Sequence, residues 1–154
     1  MSVEFELKNE TFFIKRSKKY DNIYDYFYRK RSFTMSELFT LCAVIGFTNN
    51  NKVSFKDKGK DIRSEYVLTN ELMNIYTIMI RSNVINATLD DFNDSIFRKE
   101  KFKDIEEYAE GGMQILCDEV FTGNWDGHEL NSSYNKYEID ILSYINEKRN
   151  LGAF

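Results

Sequence analysis

The side chains that could do chemistry in this chain are few, and they are scattered. His128 is the only histidine, and it lies in Trp125-Asp126-Gly127-His128-Glu129 with two carboxylates close by. A histidine flanked by acids can serve as a general base or a metal ligand. Zinc, however, needs three or four ligands, and neither cysteine is near. Without a second histidine there is neither a facial triad nor a His-Glu-x-x-His pair. No serine or cysteine occupies a recognisable nucleophile elbow. His128 therefore reads as a surface-loop histidine. Cys42 and Cys117 each sit inside an apolar helical pattern and read as reduced, buried thiols.

Three further clusters carry charge or unusual backbone freedom. Glu106, Glu107, Glu110, Asp118 and Glu119 read as the solvent face of a helix, an anionic surface on which a basic partner could dock. Glu106 and Glu110 are one turn apart, but two carboxylates without further ligands make a poor cation site. Lys15, Arg16, Lys18, Lys19, Arg29, Lys30 and Arg31 interleave with Tyr20, Tyr24, Tyr26 and Tyr28. Cations with aromatic platforms suit nucleic acid; the other reading is a solvated basic segment beside a tyrosine stripe needed in the core. Gly111 and Gly112 stand side by side in mid-helix, where each costs about 1 kcal/mol against alanine. Close approach of another helix is the favoured explanation. No phosphate-loop frame surrounds the pair. No catalytic residue, cofactor or metal site is expected.

The elements that position these residues are mainly helical. Phe33 to Phe47, FTMSELFTLCAVIGF, is the organising stretch. Thr34 and Glu37 form a capping box, apolar residues occupy nearly every face, and Gly46 is placed to end the helix. Tyr20, Ile23, Tyr24, Phe27 and Tyr28 mark an amphipathic helix before it. Later helices are expected from Thr69 to Asn83 and from Lys103 to Phe121, with Ile105, Tyr108, Met113, Leu116 and Val120 inward. Thr88 to Phe97 predicts a separate short turn of helix. Asn135 is expected to cap the last helix, with Glu138 at its third position and Ile139, Leu142 and Ile145 inward. Strand patterns occur at Val3–Leu7 and Phe12–Ile14. A hairpin is expected between Val53–Phe55 and Ile62–Leu68, turning at Gly59. The fold class is mainly α within α+β: one helical domain over residues 1–154, of about five helices, with a small β element.

Composition narrows the class further. The chain has 154 residues, no proline, thirteen Phe and ten Tyr, and a net charge of −4. Residues 1–63 hold 13 Lys and Arg against 8 Asp and Glu, whereas residues 64–154 hold 8 against 17, so the halves have opposite sign. Such asymmetry favours an oriented interaction surface. The start has acidic residues and no apolar run, and no stretch is long enough to cross a bilayer. A cytoplasmic protein with no membrane partner is expected.

Three segments together resemble a known family. They are the Ser36–Phe47 helix (SELFTLCAVIGF), the Ile62–Leu68 strand, and Glu106-Glu107-Tyr108-Ala109-Glu110-Gly111-Gly112-Met113. The pattern is similar to the DNA phosphorothioation-associated (dnd system-associated) protein 4 family, with its LF-x-LA-x-x-x-GF and EEYA-x-GG helices. Cys42 replaces the usual alanine. The resemblance runs from about Phe13 to Phe121 and leaves residues 122–154 unmatched. It implies a bacterial defence island against phage and foreign DNA. The implied role is a non-catalytic accessory subunit docking on a large partner, such as an SMC/Rad50-like ATPase or an effector nuclease. Trp125 and the acidic face at Glu106, Glu107 and Glu110 are the candidate contacts. The alternative is a DNA-binding module using residues 15–31.

Overall fold

The computed structural model describes residues 13–63, Ile75 and residues 95–150. Among them the elements run β1 (Phe13–Ile14), a 3-10 turn (Lys18–Tyr20), α1 (Asp21–Arg29), α2 (Met35–Thr48), β2 (Ile62–Arg63), α3 (Ser95–Glu119) and α4 (Tyr137–Asn150). The class is helical with a small antiparallel sheet, as expected. Four helices are seen in the described residues rather than about five. The expected helix from Thr69 to Asn83 lies outside them except for Ile75, which is helical and fully buried. The Val3–Leu7 strand also lies outside them.

The capping box of α2 forms as read. The Glu37 N–H donates to Thr34 Oγ1 at 3.1 Å, and the Thr34 N–H donates to Glu37 Oε1 at 2.9 Å. Leu38, Phe39, Cys42, Ala43 and Ile45 are all buried, so protein surrounds this helix. Its end differs from the expectation. The helix continues through Gly46 to Thr48, and the left-handed residue is Asn50, at φ 51°. The Asn51 N–H bonds to the Gly46 carbonyl at 2.8 Å and the Asn50 N–H to the Phe47 carbonyl at 3.0 Å, the paired bonds of a Schellman ending. Asparagine tolerates that conformation. Gly46 is thereby released for another task, close approach to α3.

α2 and α3 pack backbone to backbone. A Cβ on Gly46 would lie 1.9 Å from the Tyr108 carbonyl oxygen, and one on Gly112 would lie 1.7 Å from that of Cys42. The contact is reciprocal. Each glycine abuts the carbonyl of the residue four before the other glycine, so two small-residue notches interlock. Gly111 faces the incoming loop instead, with its missing Cβ 1.9 Å from the Asn51 carbonyl oxygen. That loop is stapled along α3: Asn51 Nδ2 donates to the Gly111 carbonyl at 3.0 Å, the Val53 N–H to the Glu107 carbonyl at 3.0 Å, and Lys52 pairs with Asp104 at 2.5 Å.

The expected hairpin between Val53–Phe55 and Ile62 is not the observed pairing. β2 pairs with β1, in the register Phe13↔Arg63 and Ile14↔Ile62. Ile14 and Ile62 share the buried face, whereas Val53 takes its backbone partner from α3. Helix α3 is also longer than read, because Ile96 and Phe97 belong to it and not to a separate turn; Ile96 is exposed.

Helix α4 also departs from the expectation. It begins at Tyr137, and the Asp140 N–H bonds to the Lys136 carbonyl, which places the cap at Lys136 rather than Asn135. Its buried residues are Tyr137, Ile141 and Tyr144. Ile139 and Leu142 are 61% and 62% exposed, and Ile145 is only partly buried. Tyrosine prevails because each ring buries more area than an aliphatic side chain and its hydroxyl can still reach an acceptor. The Tyr137 hydroxyl donates to the Asn131 carbonyl at 2.8 Å, and its ring meets Phe121 edge-on at 5.6 Å. Phe121, just past α3, in turn packs on Phe27 of α1 at 6.2 Å, joining α1, the segment after α3 and α4 in one aromatic cluster. Burying each such ring contributes roughly 1.5–3 kcal/mol.

Candidate functional site

Of the acids on α3, Asp118 and Glu119 are exposed as read, whereas Glu106 and Glu110 are turned inward. Glu106 and Glu110 point at the segment between β1 and the 3-10 turn. The Lys15 N–H donates to Glu106 Oε2 at 2.5 Å, and Ser17 Oγ donates to Glu110 Oε1 at 2.8 Å. Helical spacing puts the two carboxylates one turn apart, and the extended segment puts its donors two residues apart, so the two rows match. Burial pushes the Glu106 carboxyl up to about 7 against the bond from Lys15, and it pushes Glu110 up as well. These acids tie a segment down; they do not present an anionic face. Glu107 is half-buried, with its carbonyl holding Val53.

The basic residues are divided by the fold. Arg16 is only 3% exposed; it pairs with Asp21 and lies over the Tyr24 ring, 4.2 Å from its centre. Lys15 pairs with Asp61 at 2.9 Å. Lys18 and Lys19 are exposed on the 3-10 turn, while Arg29 ends α1 and Lys30 and Arg31 follow it, about 14 Å of helix away. Residues 15–31 are therefore not one basic patch. Tyr20, Tyr24 and Phe27 are buried as expected, but Tyr28 is 59% exposed.

A different set of lysines converges. The loop after α2 lies across α3 and brings Phe55, Lys56 and Lys58 beside Lys103 and the 3-10 turn. Two open clefts result, sharing Phe55 and Lys56. One, of about 490 Å³, is lined by Lys15, Lys58, Lys103 and Glu106; the other, of about 660 Å³, by Lys18, Lys19, Glu110 and His128. Phe55-Lys56-Asp57-Lys58 does show its basic and aromatic character in sequence. In a hairpin, Phe55 would end one arm and Lys56–Lys58 would lie in its turn, away from α3.

His128 has no catalytic partner in Asp126. Asp126 Oδ1 accepts the N–H groups of Glu129 and His128, both at 2.7 Å. Those two bonds hold its carboxyl below the usual range, which makes it a turn-former and a poor base. Trp125 is half-buried, 5.9 Å from the Tyr20 ring, and its loop is anchored where the Leu130 N–H meets Asn22 Oδ1 at 2.8 Å. Cys42 and Cys117 are free and buried, and burial raises both thiols, Cys117 to about 12, so neither is an activated nucleophile. No helix among the described residues is long and apolar enough to cross a membrane.

Comparison with curated proteins and with solved structures returns no match. A family model does match, over residues 14–149, and its span includes the loop and most of the final helix that the resemblance left unmatched. The interlocked glycines, the capped α2 and the α3 run Glu106–Met113 all lie within it, and on that match the chain belongs to the family of DNA sulphur modification system-associated protein 4.

Proposed function

We propose that this protein is a non-catalytic, cytoplasmic accessory subunit of an anti-phage defence complex built around DNA sulphur modification. It docks on a larger partner of that system, such as an SMC/Rad50-like ATPase or a nuclease. The family match supplies the system. The observation that carries the docking role is the two-sided apolar character of α4: Tyr137, Ile141 and Tyr144 pack inward while Ile139 and Leu142 stand outward. An apolar pair presented on a rigid helix is what a protein partner would cover. Glu106 and Glu110 hold the chain's own segment, so this contact is assigned to α4 and not to them.

Co-expression with the other proteins of its system, followed by size-exclusion chromatography, tests this. The expected result is stoichiometric co-elution with one of them, weakened by Ile139→Glu with Leu142→Glu while the variant's melting temperature stays unchanged. A chain that elutes alone in the presence of each of them defeats the proposal.

A further inference from the structure

We propose that the ridge at Phe55, between the two lysine-lined clefts, binds a single strand of nucleic acid, with Lys18, Lys56, Lys58 and Lys103 on its phosphates and Phe55 under a base. This goes beyond the protein-contact reading and does not depend on it. Three observations converge here. First, Lys18, Lys56, Lys58 and Lys103 are exposed, and none forms an ion pair among the described residues. They come from three separate segments and meet only in the folded chain, within a protein whose net charge is −4. Second, Glu106 and Glu110 on the cleft floors are turned to the Lys15 N–H and the Ser17 hydroxyl, leaving Asp57 and Glu107 as the other acidic groups on the walls. Third, Phe55 is half-buried and lines both clefts, and its loop is held rigidly, through Val53 on Glu107 and through Lys52 on Asp104.

A basic track with an aromatic platform at its middle is the recognition chemistry of single strands: phosphates meet ammonium groups and a base stacks on the ring. A duplex would use the lysines but leave the ring idle. An acidic peptide would likewise meet only the charges.

The test is fluorescence anisotropy of the full chain with a labelled oligothymidylate of about 20 nucleotides at about 50 mM salt, with a duplex of equal length and polyglutamate as competitors. Binding is expected, with single strand preferred over duplex and polyglutamate. Lys56→Glu with Lys103→Glu should weaken it by tenfold or more and flatten its salt dependence. Phe55→Ala should weaken it about tenfold, and Lys148→Glu on α4 should leave it unchanged. The lysines are exposed, so their variants remain informative if Phe55→Ala fails to fold. Absence of binding, indifference to the paired lysine variant, or equal competition by duplex or polyglutamate overturns the proposal.

Discussion

Gly112 sits against the backbone of Cys42 so closely that a single methyl group there would fall 1.7 Å from the Cys42 carbonyl oxygen. Neither helix can give way locally, since the obstructing atoms all belong to the Cys42 main chain. Gly112→Ala is therefore expected to lose about 3 kcal/mol or more, at or above the upper end of ordinary overpacking. Gly123 provides the comparison. It has φ 81° with nothing near its missing Cβ, so Gly123→Ala should cost only about 1 kcal/mol of backbone strain. Urea melts of the two variants decide the matter; equal losses would mean that α2 and α3 do not touch there.

Arg31 is held at φ 58°, where the Ser32 N–H bonds to the Phe27 carbonyl and the Arg31 N–H to the Tyr28 carbonyl, both at 3.1 Å. That is a Schellman ending with a bulky residue in glycine's place. Arg31→Gly should relieve left-handed strain and raise stability by up to about 1 kcal/mol, whereas Arg31→Val should lower it by about as much or more. Thermal denaturation of the pair reads the sign, and a destabilising glycine would refute this account of the turn.

Glu106 links stability to pH. Burial raises its carboxyl from 4.5 to about 7, against the pull of the Lys15 N–H and of Lys58. The folded chain thus holds this proton more tightly than the unfolded chain does. Its contribution is full below about pH 4.5 and is lost as pH rises through about 7. Glu106→Gln keeps an acceptor for Lys15 with no charge to bury. Relative to the parent chain, this variant should gain melting temperature at about pH 8 and little at about pH 5. A gain of the same size at both would show that the carboxyl ionises normally.

The faces of α4 are separable by mutation. Ile141→Ala should cost about 2–5 kcal/mol, as a large-to-small change in a core does. Ile139→Ala and Leu142→Ala should each stay within about 0.5 kcal/mol, because both side chains are already largely in water. Chemical denaturation of the three single variants checks this; a large loss at Ile139 would return that residue to the core.

What the sequence by itself determined is what depends on near neighbours or on a long apolar pattern. The Thr34–Glu37 box needs only a three-residue separation, and the all-round apolar run of α2 requires burial whatever covers it. The glycine doublet announced a close approach, since nothing local rewards two mid-helix glycines. Only the tertiary structure decided which partner each group took. β1 and Val53 both presented extended backbone to their surroundings; β2 took the first and α3 the second. Glu106 and Glu110 have the spacing of a solvated face, yet donors 91 and 93 residues earlier in the chain turned them inward. On α4 both stripes are helical in period, and the choice between Ile139–Leu142 and Tyr137–Ile141–Tyr144 fell to the Phe27–Phe121 cluster, which favoured the rings. The lysine clefts are the same case: their charges are read in any order along the chain, but only packing sets them around Phe55. Local free energies are properties of short segments, whereas the competition among distant partners is settled by shape and desolvation after those segments meet.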